Sequence, residues 1–567
     1  MDMDMATDTI SVSMKRFSSC GFGFDTKSLV SPPRAYYVID GCGANRWTTS
    51  LTLAAVIAVL GSAFMPTQST AQALPAEVPP VENVAPITAW RFTPQLSVTE
   101  TYTDNAALVP TATATKSWVT ESTPGIRIEK AGVRSSLYLD FRLNDFRYSG
   151  NAQLNNSQRL LTSYATVEAI DKWFFVDASA NITQQNRSAF NIAGAPDVSG
   201  PNGNRVETSV NQISPYIRGS LSDVARYQIR LVGADIRAND DSMPDTKFRQ
   251  WIGFIKNAHV IFGFSWSVDG NALRFRNRVV GKSYDERIRG SLAYEINTQL
   301  HVSAISGREV TNFRGVQNES ATTSGVGLEW SPNARTQFAA VREKRFFGNS
   351  QSVSFKHRTA LTVWSFTSTR DILATSGQLN ASGVGTVAGL LSDLLATSIP
   401  DPIAREAAVR RRLDESGFSA NPASSGGFAT GRPILVRNDE ASVAVRGVYN
   451  TITLSFTRRL QTGLGPSAGG TDSFSLSNDI RQHGVNLNWA YRLSPLSSVS
   501  LVAATLRTEA LSMTGLDTNQ RSFNLLFSTR VGLNTYATLG ARRVFFDNSL
   551  DTGYRENAIL ASVSLRY

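Results

Sequence analysis

The clearest candidates for a chemical role in this sequence are five arginines on two consecutive predicted strands. Side chains two residues apart on a strand share a face, so a hairpin of these strands would gather five guanidinium groups on one wall. If that wall lined an enclosed channel, it would attract anions such as an anionic polysaccharide. The five residues are Arg274, Arg276, Arg278, Arg287 and Arg289.

A structural interpretation of the same arginines stays open. Three acidic residues, Asp285, Glu286 and Glu295, lie on the second of the two strands. Alternating positive and negative side chains would then form a charge lattice that holds the sheet rigid. In that case the arginines would stabilise the fold and bind no ligand.

No residue pattern predicts catalysis, a cofactor or a metal. The four histidines, at 259, 301, 357 and 483, are scattered, and neither a nucleophile elbow nor a zinc-protease motif occurs. The pair Asp104-Asn105 invites a calcium-site interpretation, but Asp-Asn at the end of a strand is ordinary turn chemistry. We therefore predict that the protein is not an enzyme and has no catalytic, cofactor-binding or metal site.

The composition favours a protein of many strands with one polar face. Hydrophobic residues make up 41% of the 567 residues and charged residues only 18%, so Ser, Thr, Asn, Gln and Gly fill much of the rest. The formal net charge is +10, but no basic run or nucleic-acid motif accompanies it. We predict no nucleic-acid partner.

Residues 1–73 are interpreted as a secretory signal peptide with an extended N-terminal region. Residues 51–64 form an apolar run too short for a comfortable membrane-spanning helix. Arg46 precedes the run, and an A-x-A site follows, which predicts cleavage after Ala73. A buried core helix is the alternative. Both cysteines lie in this region, so the mature chain cannot be a disulfide scaffold.

After a Pro-rich periplasmic lead at 74–88, apolar and polar residues alternate throughout 89–567. About 22 strands (20 to 24) are expected. A soluble sandwich or propeller would bury the apolar face, whereas a transmembrane barrel turns it toward lipid. No propeller repeat occurs, and the signal peptide favours export. The predicted fold is all-β, an antiparallel barrel in the outer membrane of a Gram-negative bacterium.

The alternation continues to the last residue. Tyr567, Leu565 and Val563 share one face, and chain ends fray unless something holds them. In a closed barrel the last strand pairs with the first, which explains the pattern. A terminal aromatic also resembles the signal by which the barrel insertion machinery recognises its substrates, a role we predict for Tyr567.

The first predicted strand resembles a known family. It carries an alternating row from Trp90 to Tyr102, followed by Thr103-Asp104-Asn105, and "STPGIRI" follows at 122–128. These residues resemble the outer-membrane barrels associated with the PEP-CTERM sorting and exopolysaccharide systems of Gram-negative bacteria. The resemblance extends over the mature chain and includes 400–417, which looks like a helical segment of that family. It implies a setting in polysaccharide export or biofilm matrix formation.

Residues 371–438 interrupt the alternation and are expected to form a helical insert. Leucines at helical spacing in 386–397 predict a first helix. Asp401 and Pro402 would begin a second helix, near whose end Arg410, Arg411 and Arg412 cluster. Either the insert folds into the barrel and plugs it, or it forms a helical hairpin outside the barrel or in the periplasm.

The function expected from these observations is support of exopolysaccharide export or secretion through a lumen restricted by the insert. A general porin-like passive channel and a non-conducting structural or adhesion barrel are the alternatives. The predicted partners are outer-membrane lipid, the barrel insertion machinery, anionic polysaccharide and components of an export system.

Overall fold

Each strand in the computed structural model of this chain pairs with the next, and the last strand pairs with the first. All pairings are antiparallel, so 22 strands close into one barrel, as the alternation predicts. The structure describes residues 90–192, 194, 203–239, 244–278, 280–315, 317–373, 391–392, 395, 405, 408–409, 427–465, 472–513, 515–549 and 553–567. The predicted signal peptide and its cleavage site after Ala73 lie outside these residues, as does the lead at 74–88.

The strands begin and end as follows: β1 Arg91–Thr103, β2 Ser117–Ala131, β3 Ser135–Tyr148, β4 Asn156–Ile170, β5 Phe174–Asn186, β6 Arg205–Leu221, β7 Ala225–Ala238, β8 Thr246–Asn257, β9 Phe264–Asn277, β10 Gly281–Asn297, β11 Leu300–Thr311, β12 Glu319–Asn333, β13 Thr336–Arg345, β14 Gly348–Arg358, β15 Thr362–Leu373, β16 Ile434–Arg446, β17 Asn450–Gly463, β18 Asp479–Arg492, β19 Ser497–Ala510, β20 Asp517–Arg530, β21 Thr535–Asn548 and β22 Tyr554–Arg566. Short helices occupy Thr111–Thr113, Ala152–Leu154 and Ser473–Leu476. Among the described residues, no helix is long and apolar enough to cross a membrane.

The two ends of the barrel differ in the length of their connections. Tight turns such as 132–134 and 334–335 join strands at the end where β1 begins. The long connections, including 104–116, 187–204, 374–433 and 464–478, all lie at the opposite end. Outer-membrane barrels have short periplasmic turns and longer extracellular loops, so the insert connects its strands at the extracellular end.

An exposed apolar belt identifies the lipid-facing surface. Outward side chains in the half of the barrel nearer the periplasmic turns are large and exposed, for example Val563 at 51% and Leu292 at 52%. Aromatic residues form a girdle at the periplasmic edge: Trp90, Trp173, Phe264, Tyr294, Trp330, Tyr449 and Tyr567. Because closure leaves no strand edge unpaired and the belt faces lipid, the chain is an outer-membrane barrel of a Gram-negative bacterium.

The apolar face changes side along several strands. On β7, Ile229 points outward and is 45% exposed, whereas Ile236 points inward and is 1% exposed. On β3 the outward residues Leu139 and Phe141 give way to inward, buried Phe146. The strands therefore extend beyond the lipid at the extracellular end, where apolar side chains pack inside the barrel instead.

The predicted pairing of the last strand with the first is confirmed, and residues after β1 reinforce it. Leu565 lies opposite Leu96, and the Tyr567 N–H donates to the Pro94 carbonyl at 3.0 Å. Beyond the strand, the Asp104 carboxylate accepts hydrogen bonds from the backbone and side chain of Asn557 at 2.7 and 2.6 Å. The fully buried Asn105 side chain donates to the Arg555 carbonyl at 3.0 Å. Asp104 and Asn105 therefore fasten the first loop to the last strand.

We expect Asn105→Ala to destabilise the barrel more than a comparable change at a periplasmic turn. The substitution removes hydrogen bonds from a buried site, which costs about 1–3 kcal/mol. Thermal unfolding in detergent, followed by heat-modifiable migration on gels, measures the change. Asp171→Ala is the control, because the Asp171 side chain is 68% exposed and pairs only with exposed Lys172 in the described chain. Equal unfolding temperatures for the two variants would contradict a fastening role for Asn105.

Candidate functional site

Residues of the insert contact the lumen wall near its periplasmic end. Val363 on β15 lies opposite Ala444 on β16, and both are fully buried, while their neighbours Trp364 and Val445 point outward. Three helical insert residues pack against this pair in one apolar cluster: Leu391, Leu395 and Val409. Since β15 ends at Leu373 at the extracellular end, the insert reaches this cluster from the other end of the barrel.

The structure confirms part of the sequence prediction for the insert and changes its bounds. Leu391 and Leu395 are helical and buried, as their spacing predicts, and the Arg405 side chain donates to the Ser392 hydroxyl at 3.3 Å. The strands extend into the predicted range 371–438, so the connection is 374–433. Asp401, Pro402, Arg410, Arg411 and Arg412 lie outside the described residues.

Sequence reasoning missed Val363 and Ala444 as contact residues. One signal was present, because Val363 and Trp364 are consecutive apolar residues near the start of the strand. Trp364 occupies the lipid face, so an apolar residue beside it must face the lumen. An apolar lumen position in this half of the barrel indicates that something packs against it from inside.

The last part of the insert, 427–433, crosses the extracellular mouth. Phe428 forms an isolated β-bridge with Asn186 at the end of β5. Six residues later the chain enters β16, which is not a neighbour of β5 in the barrel. Between these points the Gly431 carbonyl accepts a hydrogen bond from Asn277 of β9 at 2.6 Å. A Cβ at Gly431 would lie 2.6 Å from the Pro244 ring, so this position requires glycine. We call residues 427–433 the mouth strap.

Loops from several sides pack on the mouth strap. Phe428 contacts Phe474 of the β17–β18 loop, with ring centroids 5.4 Å apart. Phe190 of the β5–β6 loop and Leu516 of the β19–β20 loop join the same buried cluster. The guanidinium of Arg432, which is 1% exposed, lies 3.3 Å from the Asp472 carboxylate. The mouth strap is therefore held by apolar contacts and by a buried ion pair.

A network of buried charges lines the lumen along β9 to β15. Arg345 is at its centre, hydrogen-bonded to Glu309 and Asp371, with Asp285 at 3.9 Å. Arg289 bridges Asp269 and Glu343 at 2.9 Å each. Arg287, 1% exposed, lies 3.5 Å from Glu343. Three arginines thus face five carboxylates, and of the three acidic residues considered for a charge lattice from the sequence, Asp285 belongs to this network.

The predicted wall of five arginines is wrong. Arg287 and Arg289 face the lumen, opposite Asn271 and Asp269. Arg274 and Arg276 instead pair with Tyr284 and Lys282 on the outer face. Arg278 is exposed in the turn that follows β9. Of the predicted acidic partners, Glu286 also lies outside, where it binds Arg274 at 2.8 Å.

The reversal of the apolar face explains this error. In the lipid-embedded part of β9, Trp266 and Val268 point outward, and by alternation so do Arg274 and Arg276. Above the lipid, however, the inward residues Leu273 and Phe275 are the apolar ones, since loop residue Phe313 packs on them from inside. The sequence prediction treated apolar residues as lipid-facing along the whole strand, and it therefore placed Arg274 and Arg276 in the lumen.

The opposite wall, β17 to β20, presents polar groups to the lumen, and its charged member is Arg459, which donates to the Asn438 side chain at 3.3 Å. The Gln461 side chain donates to Gln482 at 3.0 Å, and Gln482 donates to the Thr508 hydroxyl at 3.3 Å. Further buried amides and hydroxyls continue this wall, namely those of Thr453, Asn488, Ser500, Gln520, Ser522 and Asn524. Such groups offer both donors and acceptors without charge.

Comparison with solved structures finds other outer-membrane barrels. The siderophore receptor PirA from Acinetobacter baumannii is 8% identical with a TM-score of 0.43, covering 84% of this chain and 80% of the receptor. The FrpB iron transporter from Neisseria meningitidis (F3-3 variant) is 8% identical with a TM-score of 0.44, covering 84% and 81%. Pseudomonas aeruginosa OpdK, solved with vanillate, is 8% identical with a TM-score of 0.31, covering 84% and 99%. No protein-family model and no curated protein matches the sequence.

The histidines do not converge on a site. His301 lies 3.7 Å from Glu295 on the lumen side, and His357 shares a 2.9 Å hydrogen bond with Thr336. Within the described part of the chain, no group of three or more His, Cys, Asp or Glu residues is placed to hold a metal ion.

Proposed function

We propose that this protein is an outer-membrane transporter that supports exopolysaccharide export, with a lumen restricted by residues 374–433. The observation that carries the proposal is the packing of Leu391, Leu395 and Val409 on Val363 and Ala444. Val363 lies ten residues below Leu373, where the insert leaves β15. At about 3.3 Å per residue and a tilt of about 40°, that is a depth of roughly 25 Å, close to the height of the lipid-facing belt.

A barrel of this size needs such a restriction. Barrels of 16 to 18 strands leave an aqueous channel, and those of 22 strands have a plugged lumen. The insert contacts Val363 and Ala444 near the periplasmic end, and the mouth strap crosses the extracellular end. Both observations support an insert that runs through the lumen. Transport would then require the insert to move, so the protein would act as a gated channel.

The amide and hydroxyl groups of the β17–β20 wall support a polysaccharide substrate. Sugar hydroxyls both donate and accept hydrogen bonds, as do the amides of Gln461 and Gln482. The charged wall carries more carboxylates than arginines, and each of its three arginines already has an acidic partner. Recognition through hydroxyl and amide groups is therefore better supported than attraction of an anionic polymer. The resemblance to exopolysaccharide-associated barrels points to the same substrate class.

Current blockade by oligosaccharides tests the substrate class. We expect neutral maltodextrins to interrupt the current through a barrel that lacks 375–432. Gln461→Leu with Gln482→Leu should shorten the blockades several-fold, because two amide contacts are lost. Gln351→Leu is the matched control, since Gln351 lies on the outer face, where it binds Ser368.

Three outcomes separate the alternatives. Blockades that depend on Gln461 and Gln482 support a polysaccharide path. Passage of small ions without any oligosaccharide blockade would favour a general passive channel. A deletion variant that folds yet carries no current would favour a structural or adhesion barrel.

A further inference from the structure

The outer surface carries a basic patch just above the lipid belt on β8 to β10. Lys247 lies opposite Arg276, which lies opposite Lys282, so three cations follow one another across three strands about 4.8 Å apart. Arg249 and Arg274 form a second pair one step nearer the membrane. All five side chains are exposed. We call these five residues the β8–β10 basic patch.

Like charges placed directly opposite each other destabilise a sheet, so this arrangement needs a compensating partner. Within the described part of the chain, only Glu286 forms an ion pair with the patch, through Arg274 at 2.8 Å. Asp235, which lies opposite Lys247, is hydrogen-bonded to Arg237 at 2.6 Å. The patch therefore has excess positive charge.

Three outward arginines elsewhere at the extracellular end are neutralised within the protein. Arg437 pairs with Asp439 at 3.1 Å, Arg507 with Glu509 at 2.9 Å, and Arg521 with Asp547 at 3.2 Å. These residues lie on β16, β19 and β20, away from the patch. Other outward cations, such as Arg543 and Arg555 around Phe545, also have no carboxylate partner among the described residues. Within that part of the chain, however, only β8 to β10 place three cations directly opposite one another on adjacent strands.

The height of the patch identifies the membrane layer that it meets. Trp251, 49% exposed, lies directly below Arg249 on the same face. Arg274 lies ten residues above Phe264, which belongs to the periplasmic girdle. At about 3.4 Å per residue and a tilt of about 40°, this separation is about 26 Å, against about 25 Å for the apolar band of such barrels. The patch therefore begins at the headgroups of the outer leaflet.

We propose that the β8–β10 basic patch binds the phosphate groups of an anionic, phosphorylated lipid in the outer leaflet. Arginine and lysine form charge-assisted hydrogen bonds to phosphate oxygens, and five of them on adjacent strands match a headgroup with more than one phosphate. Bound phosphates would relieve the repulsion between Lys247, Arg276 and Lys282. This site lies outside the lumen and does not depend on the proposed transport function.

Lipid retention by the purified full-length protein tests the proposal. Diphosphoryl lipid A is the probe, with phosphatidylethanolamine for comparison, and bound copies are counted by native mass spectrometry. The test variant is K247Q/R276Q/K282Q. We expect it to bind diphosphoryl lipid A about a hundredfold more weakly, at roughly fivefold for each basic residue removed near a charged lipid.

The control R437Q/R507Q/R521Q removes the same number of charges from ion-paired positions and should bind within about twofold of the parent. All six substituted residues are on the surface, and heat-modifiable gel migration verifies folding. Equal affinity of parent and test variant would overturn the proposal. So would equal retention of phosphatidylethanolamine, or displacement of the lipid by soluble polygalacturonate, which would indicate a site for anionic polymers instead.

Discussion

A mature chain lacking residues 375–432 is expected to conduct ions in a planar bilayer at least an order of magnitude better than the complete chain. The deletion removes Leu391, Leu395 and Val409 from the lumen wall and the mouth strap from the extracellular opening. Closure of the barrel depends on strand pairing alone, so the wall should remain intact. An empty barrel of 22 strands leaves a water-filled path.

Point substitutions make this experiment sharper. Leu391→Asp with Leu395→Asp places two carboxylates against Val363 and Ala444, which should dislodge the insert and raise the open probability without shortening the chain. Val448→Asp makes the same type of change at a turn residue that is 79% exposed and should leave the current unchanged. Equal conductance of the complete and deleted chains would contradict a restricted lumen.

Substitution of Arg345 by Met is expected to lower the free energy of unfolding by about 3–5 kcal/mol, the typical cost of breaking a buried ion pair. Arg345 is 5% exposed and is the cation shared by Glu309, Asp285 and Asp371. Its loss leaves Glu309, which is fully buried, without its hydrogen-bonded cation. Urea unfolding of the protein in detergent measures the change.

A triple variant shows whether charge is the cause. Adding Glu309→Gln and Asp371→Asn to the Arg345→Met chain should recover much of the lost stability, because both carboxylates that are hydrogen-bonded to Arg345 are then neutral and only Asp285 remains. Arg521→Met is the surface control. Arg521 is 51% exposed where it pairs with Asp547, so the expected loss is below about 1 kcal/mol. A similar loss for Arg345 and Arg521 would contradict the role assigned to the buried network.

Local patterns in the sequence determined most of the barrel. Alternation at period two is a property of each strand, so the number of strands and the shared face of Tyr567, Leu565 and Val563 could be predicted without a structure. The spacing of Leu391 and Leu395 likewise defines a helix through neighbouring residues only. The pairing of β1 with β22 followed because lipid leaves no strand edge unpaired.

Only the tertiary structure decided which face of each strand points into the lumen and which residues pack against that face. The alternation around Arg274 and Arg276 is the same whether they face in or out. The outcome depends on Phe313, which arrives from another loop and packs on Leu273 and Phe275. The contact of Leu395 with the cluster at Val363 and Ala444 joins segments far apart in the chain. Periodicity depends only on neighbouring residues in the chain. It could therefore separate the two faces of each strand, but it could not show whether a face contacts water, lipid or other parts of the protein.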